Sequence, residues 1–177
     1  MEQITSKQLY DYMEKNGVTM SRLADLAGIT RHQLSAYFNK TALVSGLKRH
    51  FTEVSVQPIN EALPRLAEQI RNAQIRVTPE EAKPVRGREY YPVCVERIKE
   101  QLGPWLNLKV FMGRALDWSP SQFGNVMMSK NSRAHGNITA DHILLLNQAL
   151  RHLASDLENY ELLPDDPGSS SSDSSSR

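Results

Sequence analysis

Met20 to Asn39 reads MSRLADLAGITRHQLSAYFN, and two short helices with a turn at Gly28 account for its pattern. Leu23 and Ala27 share one helical face, and Ala24 is small where a second helix has to cross closely. Gly28 stands where the turn needs a positive φ, which glycine adopts at no steric cost. Ile29 seals the turn, Thr30 supplies an N-cap, and Leu34 with Tyr37 point back toward a core at a spacing of three. The face left outward on the second helix carries Arg31, His32, Ser35, Ala36, Asn39 and Lys40. Its polar groups have the length that reaches base edges and phosphates in a major groove.

Small Ala24, Gly28 and apolar Leu23, Ile29, Leu34 and Tyr37 together resemble the helix-turn-helix of phage Cro and lambda-repressor-like regulators. That resemblance implies an all-α fold and double-stranded DNA as partner, with Thr30, Arg31, His32, Ser35, Asn39 and Lys40 at the DNA. A helical hairpin that merely packs is the structural alternative. Arg31 and His32 speak against it, because a packing helix gains nothing from cations on its first turn. Tyr37, Phe38, Lys40 and Leu43 also resemble tetracycline-repressor-like regulators, whose first helix and connection are longer than Gln8 to Asn16 provides.

The pattern recurs in a second copy. Lys109 to Met128, KVFMGRALDWSPSQFGNVMM, falls on the first stretch at an offset of 89 residues. Met112 matches Leu23, Gly113 matches Ala24, Leu116 matches Ala27, Trp118 matches Ile29, Phe123 matches Leu34 and Val126 matches Tyr37. Ser119-Pro120 starts the second helix as N-cap and first helical residue. Its outer face carries Ser119, Ser121, Gln122, Asn125 and Met128, followed by Ser129, Lys130 and Arg133. Gln122 and Asn125 are amides of the kind that pair with adenine edges. Asp117 departs from the family pattern, since it occupies the place of Gly28 and brings a negative charge toward the DNA.

The remaining chain supports these two copies. Thr5 to Gln8 reads as a capping box with Ile4 as staple, ahead of Leu9, Tyr12 and Met13, and Asn16-Gly17 ends that helix. Thr41 to Phe51 has helical spacing, with cations at Lys48, Arg49 and His50. Gln57 to Ala73 reads as an amphipathic helix in which Pro64 marks a kink or the true start. Ile75 to Pro92 lacks helical periodicity and reads as a linker, whose cations Arg76, Lys83, Arg86 and Arg88 are placed to follow a DNA backbone or simply to be solvated. Val95, Ile98 and Leu102 mark a helix ending at Gly103-Pro104, and Thr139 caps a last helix striped by Ile143, Leu146, Leu150, Leu153 and Leu157. From Pro164 the chain is acidic and serine-rich with no apolar side chain, so it reads as a disordered tail. The expected organisation is all-α. It comprises a helix-turn-helix domain at 1–56, a bridging helix and linker at 57–92, a second such domain at 93–163, and a tail at 164–177.

Composition narrows the function. Hydrophobic residues make up 40% and charged ones 23%, ordinary values for a soluble chain. The net charge of +1 hides an asymmetry: six acidic residues from Asp156 onward face Arg177 alone, which leaves +6 on residues 1–155. Cys94 is the only cysteine, so an intrachain disulfide is impossible and a cysteine-based metal site is not expected. The first residues lack a basic and apolar leader, and no run of about 18 apolar residues occurs, so a cytoplasmic location without membrane association is expected. His135, His142, His152 and Asp156 lack the close spacing of a zinc set, and neither a nucleophile elbow nor a phosphate loop is present. The expectation is therefore a transcriptional regulator, not an enzyme, with no cofactor or metal, repressing by promoter occlusion and possible as a homodimer. The alternative is one DNA-binding domain joined to a protein-interaction domain, antitoxin-like or co-regulatory, which Asp117 favours.

Overall fold

The computed structural model describes residues 1–38 and 50–165. Asn39, Lys40, most of the expected helix after Lys40, and the tail from Asp166 lie outside the described residues. The fold is mostly helical: α1 (Ser6–Asn16), α2 (Met20–Ala27), α3 (Arg31–Phe38), α4 (Glu53–Asn72), α5 (Cys94–Leu102), α6 (Leu108–Leu116), α7 (Pro120–Phe123) and α8 (Ala140–Asn159). Among the described residues four short strands accompany them: β1 (Glu2–Ile4), β2 (Lys83–Val85), β3 (Arg88–Tyr90) and β4 (Tyr160–Leu162). β1 pairs in parallel with β4, and β2 with β3 form a hairpin.

The local chemistry is as the sequence predicts at most helix ends. Thr5 and Gln8, Thr139 and His142, and Ser119 and Gln122 form reciprocal capping boxes, and Gly17 ends α1 in the left-handed region at φ 72°. Three segments differ. α4 runs unbroken from Glu53 through both Pro58 and Pro64. Each interior proline costs about 3 kcal/mol. Fully buried Ile59, Leu63, Leu66 and Ile70 offset this, each worth roughly 1.5–3 kcal/mol. The stretch expected to be a linker contains the β2–β3 hairpin and a 3-10 turn at Pro79–Glu81, and it buries Ile75 and Tyr91. At the other end the packed chain continues past the boundary expected at 163. The Asp165 carboxylate accepts hydrogen bonds from Ser6 Oγ (2.8 Å) and the Phe51 N–H (2.9 Å).

The two halves do not stand apart on a connector. One continuous hydrophobic core runs through both, and α4 packs along α8 at its centre. Their buried faces match at an offset of 87: Val56, Ile59, Leu63, Leu66, Ala67 and Ile70 correspond to Ile143, Leu146, Leu150, Leu153, Ala154 and Leu157.

Several contacts between the halves are reciprocal, although the β1–β4 pairing and the Tyr12–Asp156 hydrogen bond have no counterpart among the described residues. Asn60 on α4 clamps the backbone of Leu162, just past α8, by accepting from its N–H (2.7 Å) and donating to its carbonyl (3.0 Å). Asn147 on α8 clamps Ile75, just past α4, in the same way, with both bonds at 2.8 Å. The α1–α2 and α5–α6 turns meet in an antiparallel bridge between Val18 and Leu106. There the Thr19 N–H donates to the Trp105 carbonyl (2.9 Å) and the Asn107 N–H to the Gly17 carbonyl (2.7 Å). Each of these contacts is repeated with the two halves exchanged, the pattern of an isologous two-fold interface.

Candidate nucleic-acid interface

In the first half, α2 closes at Gly28 with φ 69°, and the Ile29 N–H bonds back to the Ala24 carbonyl at 3.0 Å. Thr30 caps α3: its Oγ1 accepts from the Gln33 N–H (3.1 Å), while Gln33 Oε1 accepts from the Thr30 N–H (2.8 Å). α3 buries Leu34 and Phe38, and Tyr37 stacks on Phe51 with ring centroids 4.7 Å apart. This pins one face of the helix and leaves Arg31, His32 and Gln33 exposed on its first turn, with Ser35 and Ala36 half-buried behind them. Arg31 and Ser35 border a concavity shared with Glu14, Thr19, Ser21 and, from the other half, Asn107 and Val110. The outer face of α3 therefore lies beside the junction of the halves.

The second half repeats the construction. Asp117 takes the left-handed conformation, φ 53° and ψ 39°, and the Trp118 N–H bonds to the Gly113 carbonyl at 3.0 Å. The aspartate fills the place of Gly28 in the same backbone geometry. Ser119 caps α7 by accepting from the Gln122 N–H (3.2 Å), and α7 runs on through a π turn at Gly124–Met128. Ser121, Gln122, Asn125, Lys130 and Arg133 are exposed, and Phe123, Val126 and Met127 are buried.

One sequence expectation changes character. Gln122 Oε1 accepts from the Ser119 N–H at 2.8 Å, so the bidentate amide expected to read adenine keeps only its Nε2 free for a base. Thr30 and Ser119 likewise have hydroxyl oxygens engaged as caps. Gln33, absent from the expected site, holds the position equivalent to Gln122. The Thr-x-x-Gln spacing at 30–33 was the signal for it.

Two further features surround the second helix pair. His142 at the start of α8 is half-buried, sits edge-on to Trp118 at 5.1 Å, and accepts the Thr139 N–H on Nδ1 (3.2 Å). Burial lowers its pKa, and Asp141 only partly counters this. The β2–β3 hairpin carries Lys83, Arg86 and Arg88 in solvent, opposed within the hairpin by Glu89. It adjoins the loop before α8 through the Tyr91 N–H, which donates to the Ile138 carbonyl at 2.7 Å.

Cys94 is buried, and desolvation pushes its thiol up to about 11. Among the described residues no group of three or more His, Cys, Asp or Glu is placed to hold a metal ion, and no helix is long and apolar enough to cross a membrane. No protein-family model, curated protein or solved structure matches the chain.

Proposed function

We propose that this chain is a sequence-specific double-stranded DNA-binding regulator of lambda-repressor-like helix-turn-helix type, acting as a repressor by occupying promoter DNA. The observation that carries this reading is the first turn of α3. Arg31, His32 and Gln33 are exposed there together, on a helix whose opposite face is locked by Leu34, Phe38 and a tight left-handed turn. A rigid helix of this kind presents side chains of base-reading length to a major groove. Exposed Lys130 and Arg133, with the hairpin cations, offer contacts to phosphates, which fix register without specifying sequence.

Gel-shift titration on sequences selected from a random DNA pool tests the reading. Arg31→Ala is expected to cost about 1–3 kcal/mol of specific affinity. Unchanged affinity removes α3 from the reading role.

A second reading is favoured by the second half itself. α7 and its π turn carry no charged residue, Asp117 is anionic, and Met128, Leu144 and Leu145 are exposed at 63%, 53% and 44%. Such a surface suits a protein partner, with DNA contact left to the first half. A DNA footprint unaltered by Asn125→Ala would favour it.

A further inference from the structure

The relation between the halves carries a consequence for the DNA. We infer that the chain is its own dimer: a single molecule reads an inverted repeat with two unequal half-sites, its dyad passing between Val18 and Leu106. The inference rests on the DNA-binding reading proposed above, but its support is separate, because it comes from the junction of the halves and not from the reading helices.

Three reciprocal contacts define the axis. The Val18–Leu106 bridge joins equivalent positions, 88 residues apart, through the Thr19–Trp105 and Asn107–Gly17 hydrogen bonds. The Asn60–Leu162 and Asn147–Ile75 clamps exchange roles under the same operation. Arg71 pairs with Glu158, its own counterpart, near the C-terminal ends of α4 and α8. A head-to-tail arrangement would put different surfaces in contact and would suit a direct repeat. A two-fold relation instead turns the two reading helices toward DNA in opposite senses, so their half-sites run inverted, about one helical turn apart.

The site is nearly closed on itself. The α4–α8 face and the turns at Val18 and Leu106 are both occupied within one chain. The concavity beside Arg31 and Ser35 is completed by Asn107 and Val110 of the other half, so a second molecule is not needed to build it.

The halves differ in chemistry. Arg31 offers a cationic donor suited to guanine with His32 beside it, whereas their counterparts are Pro120 and Ser121, and Asn125 with the free Nε2 of Gln122 offers only neutral hydrogen bonding. The half-site under α3 therefore carries more sequence information and more salt dependence.

The test uses the full chain: selection from a random duplex pool, then mass photometry of the complex on the selected site, with Arg31→Ala and Asn125→Ala compared by footprinting. The expected result is an imperfect inverted repeat bound by one chain, with Arg31→Ala weakening binding about 5- to 150-fold and relaxing one half only, and Asn125→Ala relaxing the other. Both side chains are exposed, and unchanged melting of the free variants separates readout from folding. An inverted repeat that needs two chains overturns the inference while keeping the DNA reading, as does a direct repeat or a single half-site. No enriched sequence at all overturns the DNA reading, and the inference with it.

Discussion

Gly17→Ala measures how firmly the halves are locked, and Gly28→Ala supplies its control. Both glycines have positive φ, 72° and 69°, so alanine at either pays the left-handed penalty of roughly 1–2 kcal/mol. Replacing glycine also removes about 0.5–1 kcal/mol of unfolded-state entropy, which leaves a net cost near 0.5–1 kcal/mol at either site. The surroundings then separate them. A Cβ at Gly28 meets nothing within 4 Å. A Cβ at Gly17 lies 2.8 Å from the Asn107 carbonyl oxygen, 3.2 Å from the Phe111 nitrogen and 3.3 Å from Val110 Cβ. Two of these are backbone atoms of the opposite half, so a rotamer change cannot relieve the overlap and the turns must part. Parting them weakens the Thr19–Trp105 and Asn107–Gly17 hydrogen bonds, each worth roughly 0.5–1.5 kcal/mol net. It also loosens Val18 and Leu106, both buried.

Gly17→Ala is therefore expected to cost about 2–4 kcal/mol in all, against 0.5–1 kcal/mol for Gly28→Ala. Urea unfolding followed by far-ultraviolet circular dichroism at 25 °C reads both values from the midpoint and slope. In a thermal melt the shifts become roughly 4–16 °C against 1–4 °C. Equal destabilisation of the two variants, within about 0.5 kcal/mol, would refute the claim that the turns interlock at Gly17.

Other substitutions probe the second half. Asp117→Gly relieves a left-handed aspartate at the cost of added chain entropy, so a net gain of about 0.5–1 kcal/mol and a melting rise of a few degrees are expected, together with tighter DNA binding from the lost charge; a fall in melting temperature would contradict the shared turn geometry. Gln122→Glu keeps an oxygen to cap the Ser119 N–H but removes the Nε2 donor, whereas Gln122→Ala removes both; if only the alanine variant lowers stability while both weaken DNA binding, capping and readout are separated, and equal stability loss in both would contradict the capping role. For His142 the folded pKa lies below the unfolded value near 6.5, so the unfolded state binds the extra proton and stability falls as pH drops from about 7.5 to 5.5. His142→Gln retains a capping acceptor of the type Gln8, Gln33 and Gln122 supply, and is expected to flatten that slope; an unchanged slope would assign it to other groups.

The helix pairs were legible because their positions are dictated locally: a small residue at the crossing, a left-handed turn and an N-cap three residues ahead of a glutamine leave signatures within 20 residues. Even Asp117, the expected weak point of the second copy, obeys the backbone rule and violates only the residue preference, at a cost a packed neighbourhood can carry. The union of the halves was hidden for the opposite reason. α4 reads as a helix from Gln57, but Pro64 suggests a kink or a later start, since a proline's local penalty is visible in sequence while the burial that outweighs it depends on a partner helix 87 residues away. Aligned at that offset, α4 and α8 share Asn60 with Asn147, Ala62 with Ala149, Leu63 with Leu150, Leu66 with Leu153, Ala67 with Ala154 and Asn72 with Asn159. That is a stronger repeat than the one between the α2–α3 and α6–α7 stretches, where almost no identity survives. The contrast has a physical cause. Asn60 and Asn147 make the same backbone clamp twice, once in each direction across the junction, so one residue type serves both positions. The outer faces of α3 and α7 meet no common constraint at the junction, and they are free to differ.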